Sequence, residues 1–286
     1  MNTLNKVKQT KARRIKWAAT NVKERVAWML KRRSSVPINP APLIVLGHQK
    51  SGTSAIASLL AKATRKTATV DFFYKRNSSM PLFRSQLYSG RLPFDAFIAR
   101  NSRDLSADII KEPELTFYYD KLEETFPQAT YVFVIREPKA TIKSVLDRLK
   151  LPGHLPTLDE RHYQQVDPLT GWLPALQGRA PDGPGENYIE RLAHRWNIAA
   201  QTYLNASHNM VLVKYEDFKR KKENTIYDLA EKVGLEIQSS ISQDVDVPFQ
   251  PRGNHGVTVA EFFSEENKRK INDICREQAL AFSYDI

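Results

Sequence analysis

Cysteine is almost missing from this 286-residue chain: Cys275 stands alone. That excludes a disulfide framework within the chain and any cysteine-rich metal site, and the helical pattern around Cys275 suits a buried apolar role. No run approaches the roughly 20 apolar residues that span a bilayer, and no apolar core precedes a small-residue cleavage site. The expectation is a protein of the cytoplasm, or one held peripherally at a membrane. Acidic residues are scarce in one place only. Residues 1–33 carry eleven Lys and Arg against the single acid Glu24, whereas the other 253 residues carry 32 basic and 31 acidic side chains. The overall charge of +11 therefore belongs to an appendage, and the nearly neutral body gives no reason to expect a nucleic-acid partner.

What is present suffices for one substantial α/β core: 41% hydrophobic and 26% charged residues are ordinary for a globular chain of this length. In residues 1–33 an apolar stripe at Leu4, Val7, Ile15, Ala18, Val22, Val26 and Met29 reads as a basic amphipathic helix. Such a helix suits an anionic membrane surface, but equally a partner surface or the body itself, and a cleaved organelle-targeting peptide has the same composition. Three prolines between Ser34 and Pro42 make a linker, so residues 1–41 form the appendage and 42–286 the α/β domain.

The organising stretch is Pro42–Leu60, PLIVLGHQKSGTSAIASLL. A short apolar strand, a turn rich in Gly and hydroxyls, and the start of a helix aim backbone N–H groups and a helix dipole at one point, which suits a phosphate. The spacing nearly matches the Walker pattern G-x-x-x-x-G-K-[ST], with Gly47, Gly52 and Ser54 in place but Thr53 where the lysine belongs. Without that lysine an ordinary ATP or GTP site is disfavoured. The loop alone is compatible with a phosphosulfate cradle, a degenerate NTPase loop, or a plain strand-to-helix turn.

Further along, Thr67–Tyr74 is β-like and carries Asp71. Asp108–Pro113 is a short strand with a charged tip, Lys111-Glu112-Pro113. Tyr131–Ile135 is a continuous apolar run suited to a central parallel strand. It ends at Arg136, and Pro138 then opens a helix that contains Ser144. Residues 151–186 are rich in proline and glycine and read as a lid or substrate-binding insertion, in which Arg161, Tyr163, Trp172 and Arg179 could stack on or hydrogen-bond a sugar. Helical patterns at Leu115–Phe126, Asn187–Leu204, Asn224–Val233 and Glu265–Ala279, with a strand at Met210–Tyr215, complete an alternating order. That order predicts a parallel sheet with helices on both faces and a ligand at the C-terminal strand edges.

Taken together these motifs resemble the sulfotransferases that use 3′-phosphoadenosine 5′-phosphosulfate (PAPS), of the carbohydrate and tyrosylprotein type, over residues 42–286. KSGTS resembles their 5′-phosphosulfate loop, KEP their Lys-acid-Pro strand end, Arg136 with Ser144 their 3′-phosphate pair, VKYEDF their YED segment, and Arg252-Gly253 their late Arg-Gly segment. The resemblance implies a P-loop-like α/β fold and transfer of a sulfonate from PAPS to an acceptor hydroxyl, on a carbohydrate or glycoconjugate first. It implies that Lys50, Ser51, Gly52, Thr53, Ser54, Arg136, Ser144, Arg252 and Gly253 bind the co-substrate. Lys50 and Lys111 would stabilise developing charge, with Asp71 as general base and Glu112 in reserve, and no metal. The Lys-x-His signature of small-phenol sulfotransferases is missing at Lys111. A P-loop kinase using ATP and a non-catalytic membrane-surface module built on residues 1–33 are the alternatives.

Overall fold

The computed structural model describes residues 36–72, 86, 87, 89–167, 171–179, 183–247, 249 and 256–286. The basic segment 1–33 and the Arg252-Gly253 pair lie outside the described residues.

Five strands, β1 (Leu43–Gly47), β2 (Ala68–Val70), β3 (Ile109–Lys111), β4 (Thr130–Ile135) and β5 (Met210–Lys214), form one sheet in the order β2-β3-β1-β4-β5. Every pairing is parallel. The apolar runs are continuous because both faces of the sheet are covered, so alternate side chains enter different cores. Ile44 and Leu46 of β1, with Tyr131, Phe133 and Ile135 of β4, join one cluster; Leu43 and Val45, with Val132 and Val134, join the other.

The first cluster is closed by α4 (Pro138–Leu149), α7 (Tyr188–Asn205) and α11 (Glu265–Ala281), which contribute Ile142, Leu146, Leu192, Trp196, Ile271 and Cys275. The second is closed by α1 (Thr53–Thr64) and α9 (Lys222–Lys232), through Ile56, Leu59, Leu60, Ile226 and Leu229. Cys275 is fully buried, and burial pushes its thiol up, in keeping with a packing role.

Shorter helices fill the connections: α2 (Phe94–Arg100), α3 (Tyr119–Thr125), α5 (Glu160–Gln165), α6 (Leu173–Leu176), α8 (Tyr215–Arg220) and α10 (Val259–Phe262). Two local departures from the expected elements have clear causes. The stretch after Lys111 starts as a 3₁₀ turn, Pro113–Tyr118, because Pro113 follows Glu112, whose carboxylate accepts from Glu114 N; the α-helix begins only at Tyr119. The YED segment is itself the first turn of α8.

Within 151–186 the described part is tied to the body. Leu151, Leu158, Val166, Trp172 and Leu176 belong to the first core, Tyr188 donates to the carbonyls of Pro152 (2.8 Å) and Leu155 (3.0 Å), and Asn267 Nδ2 donates to those of Gly153 (2.8 Å) and Leu155 (2.9 Å). Trp172 is only 7% exposed, so it packs the core and offers no open face to a sugar. Arg161 and Arg179 are exposed, and each is held by a neighbour, Asp159 and Gln177.

Candidate active site

The order β2-β3-β1-β4 brings the C-terminal ends of four strands together, and with them the loop Gly47–Gly52, Asp71, Lys111 and Arg136. The loop is clamped at its base, where the Thr116 hydroxyl accepts from Gly47 N (2.9 Å) and donates to Gly47 O (3.1 Å). A Cβ at Gly47 would lie 2.3 Å from the Val134 carbonyl oxygen, so only glycine lets the loop cross β4 this closely. Gly52, at φ 92°, caps α1 beneath the Tyr215 ring, 2.4 Å from where a Cβ would stand. α1 has neither a side-chain cap nor an acid in its first turn, which leaves its positive end aimed at the loop. Ser51 is fully buried, and its hydroxyl has no hydrogen-bond partner among the described residues.

Lys50 sits in this loop at φ 73°. Burial, with Arg148, Arg136 and Lys111 nearby, lowers its ammonium to about 8, while Asp71 opposes the shift. Arg136 Nη1 donates to Lys50 O at 3.0 Å, and its guanidinium lies over the Tyr215 ring, 4.6 Å from the centroid. The Arg136 carbonyl is itself fixed by Trp196 Nε1 at 2.9 Å. Ser144 stands half-buried on α4, and Arg148 follows one turn later on the same face. Glu137 caps that helix by accepting from Lys139 N (3.1 Å) and Ala140 N (2.6 Å).

On the other side of the loop, Lys111 is 2% exposed; its Nζ donates to Ser54 Oγ at 2.9 Å and pairs with the Asp71 carboxylate. Ser54 Oγ donates to the other Asp71 oxygen at 3.0 Å, so the three side chains close a triangle. Asp71 has φ 54°, an unusual backbone for a side-chain-bearing residue, and its side chain keeps 23% of its surface exposed. Glu112 is 5% exposed and accepts from Glu114 N at 3.3 Å. Of the two carboxylates offered as base, Asp71 therefore faces the loop and Glu112 serves the backbone of its own turn.

A buried network supports the loop from below. Gln49 Nε2 donates to Glu114 Oε2 (2.9 Å), and Arg195 Nη2 donates to Gln49 Oε1 and to Glu114 Oε2, both at 3.3 Å. The Arg195 guanidinium lies 4.0 Å from the Phe117 ring centroid. Burial, then the Arg195 charge, pushes the His48 imidazole down to about 3, so it is neutral; its Nδ1–H donates to Gln49 O at 2.7 Å. Nothing in the motif spacing announces this network, because its members come from the loop, the 3₁₀ turn and α7. Arg148 did carry a signal, its four-residue step from Ser144. A separate groove of about 410 Å³ runs along β5, α8 and α9, and it shares no lining residue with the loop.

The donor set fits a nucleotide with two separate anionic groups. The uncapped α1 turn, the Ser51 hydroxyl, Lys50 and Lys111 suit one anionic group; Arg136 and Arg148, both close enough to Lys50 to lower its ammonium, with Ser144 one turn before Arg148 on α4, are the donors available to a second. Both sets lie at the C-terminal edge of a parallel α/β sheet of the P-loop-like class. Among solved structures the chain resembles the sulfotransferase STF9 from Mycobacterium avium, at 12% identity and a TM-score of 0.52, over 88% of this chain and 79% of that one. It also aligns with the sulfotransferase domain from the curacin biosynthetic pathway (14% identity, TM-score 0.47, 88% of this chain and 100% of that one). A third alignment is to mouse sulfotransferase SULT7A1 complexed with PAP (12% identity, TM-score 0.48, 86% of this chain and 87% of that one). No protein-family model matches the chain, and no curated protein does. The fold is therefore the sulfotransferase one, while the carbohydrate or tyrosylprotein subtype is not distinguished by these likenesses.

Proposed function

We propose that this chain transfers a sulfonate group from PAPS to an acceptor hydroxyl, with a carbohydrate or glycoconjugate as the first acceptor class. The observation that carries the reading is that Lys50 of the loop, Lys111 of β3 and Arg136 at the end of β4 gather beside the uncapped N-terminus of α1. Bound PAPS would supply the sulfonate and leave as 3′-phosphoadenosine 5′-phosphate (PAP). The loop amides, with the Ser51, Thr53 and Ser54 hydroxyls, hold the 5′-phosphate; Arg136, Ser144 and Arg148 hold the 3′-phosphate, a dianion that a guanidinium grips with two parallel bonds. Arg252 and Gly253 are assigned to the same phosphate by resemblance alone.

Asp71 takes the proton of the attacking hydroxyl as its oxygen bonds to sulfur and the bond from sulfur to the 5′-phosphate oxygen breaks. Lys50 and Lys111 stabilise the negative charge that builds on that departing oxygen and on the sulfonate. The neutral, buried His48 and the Arg195–Glu114–Gln49 network touch neither group and hold the loop in place. Residues 1–33 are proposed to bring the enzyme to an anionic membrane surface, where a glycoconjugate acceptor would be met.

Calorimetric titration with PAP, compared with ADP and with ATP plus Mg²⁺, tests the cofactor. PAP should bind the most tightly, and Arg136→Ala should cost on the order of 1.5–3 kcal/mol of that affinity, the range for a hydrogen bond to a charged group. A preference for ATP would return the loop to the kinase reading.

A further inference from the structure

In register with the Walker pattern, Ser54 occupies the place of the hydroxyl residue that ligates magnesium in P-loop NTPases, where a nearby acid completes the protein's share of the metal site. This chain has both oxygens: the Ser54 hydroxyl and the Asp71 carboxylate, 3.0 Å apart. The third corner of their triangle is the Lys111 ammonium, bonded to Ser54 Oγ at 2.9 Å, paired with the other Asp71 oxygen and almost wholly buried. We infer that Ser54, Asp71 and Lys111 are a divalent-cation site whose cation is built into the chain.

The chemistry of the substitution is consistent. An ammonium has three donors: Ser54 and Asp71 take two, and the third is available for an oxygen of the transferred group. It brings one positive charge where magnesium brings two, and a sulfonate carries less charge than a terminal phosphate. The oxygen pair does not depend on the lysine side chain for its placement. Asp71 N donates to Lys111 O at 2.9 Å, through the backbone, and Ser54 is fixed in the first turn of α1. Removing the Lys111 side chain therefore leaves a hydroxyl and a carboxylate facing a small vacated volume. Magnesium and manganese are bound through such oxygens, one or two carboxylates sufficing when phosphate oxygens complete the shell. The ammonium's part in sulfonate transfer rests on the function proposed above; the cation site itself does not.

The test is electron paramagnetic resonance of Mn²⁺ titrated into the full chain, without nucleotide and again with PAP, for four proteins. Wild type should leave the free Mn²⁺ signal intact. Lys111→Ala should diminish it in both series, and the double variant Lys111→Ala with Asp71→Asn should restore it. Lys111→Ser is the fourth protein and stands in should the alanine variant fail to give a cooperative thermal transition. Three results each overturn the inference: no loss of signal in either folded Lys111 variant, equal loss in wild type, or persistent loss in the double variant. Calorimetry with PAP on the same wild-type samples separates this from the function. PAP binding without the Mn²⁺ pattern rejects the built-in cation alone, and the Mn²⁺ pattern without PAP binding rejects the sulfotransferase reading alone.

Discussion

Asp71 combines a carboxylate, a left-handed backbone and two hydrogen-bonded partners, which makes it the most informative single residue to change. Asparagine tolerates that backbone and keeps the shape while removing the proton acceptor. Asp71→Asn should lower kcat by about 10²–10⁴, the usual contribution of a general base, while PAP affinity stays close to wild type. Steady-state kinetics beside calorimetry would read both; an unchanged kcat would remove Asp71 from the mechanism. Lys50 gives a pH signature of its own. Its ammonium is lowered to about 8 by burial and by the neighbouring Arg148, Arg136 and Lys111. The neutral amine therefore gains population as pH rises through 8, and an anion binds it less well. PAP affinity should fall between pH 7 and 9, with proton uptake on binding near pH 8, and Lys50→Arg should flatten this step because a guanidinium stays charged. At this scale the sequence offers single candidates: Lys50, Arg136 and Ser144 lie in patterns whose spacing has a chemical reason. It did not show that Lys111 bonds Ser54, 57 residues away, or that Arg195 reaches Gln49 and Glu114. Such pairings depend on which strands are neighbours.

Among the elements, α4 does the most for the site, because Arg136 precedes it and Ser144 and Arg148 ride on it. Its N-terminus depends on Glu137, which accepts from Lys139 N and Ala140 N, while Glu137 N donates to Glu216 Oε1 at 3.1 Å. Glu137→Ala should cost about 1–2 kcal/mol of stability, as loss of a helix cap does, and should weaken PAP binding through the 3′-phosphate side. Thermal unfolding and calorimetry on one preparation check both parts; undiminished stability would show the cap to be dispensable. The elements themselves were largely legible. β1, β4 and β5 are apolar runs bounded by charge or glycine, and Pro138 marks the start of α4. β2 and β3, three residues each, carry too little pattern to set their lengths. α8 starts at the last residue of a β-like run, where propensity favours continuing the strand.

At the scale of the whole molecule, the charge is divided between a segment of net +10 and a body of net +1. A chain starting at Ser35 should keep its affinity for PAP and its thermal transition, and lose most of its sedimentation with phosphatidylserine-containing vesicles at low salt. For the full chain that sedimentation should weaken steeply as salt approaches physiological strength, since the attraction is screened within roughly 8 Å there. Vesicle binding that survives the truncation would place the membrane contact on the body instead. The parallel sheet with helices on both faces could be expected from the alternation of elements alone. The strand order could not, since alternation is satisfied by several orders and only packing selects one.

The order β2-β3-β1-β4-β5 also has a consequence in biosynthetic time. The phosphate loop is among the first pieces of the domain to leave the ribosome, yet its lysine partner from β3 is made some 57 residues later and its arginine from β4 some 86 residues later. Until both have been translated, β1 lacks one or both of its neighbours in the sheet, and the loop lacks part of the set of cations around it. A nascent chain released before β4 thus holds the motif without the receptor. Affinity for the nucleotide should arise late and abruptly during synthesis, so that nucleotide capture reports completion of the central sheet.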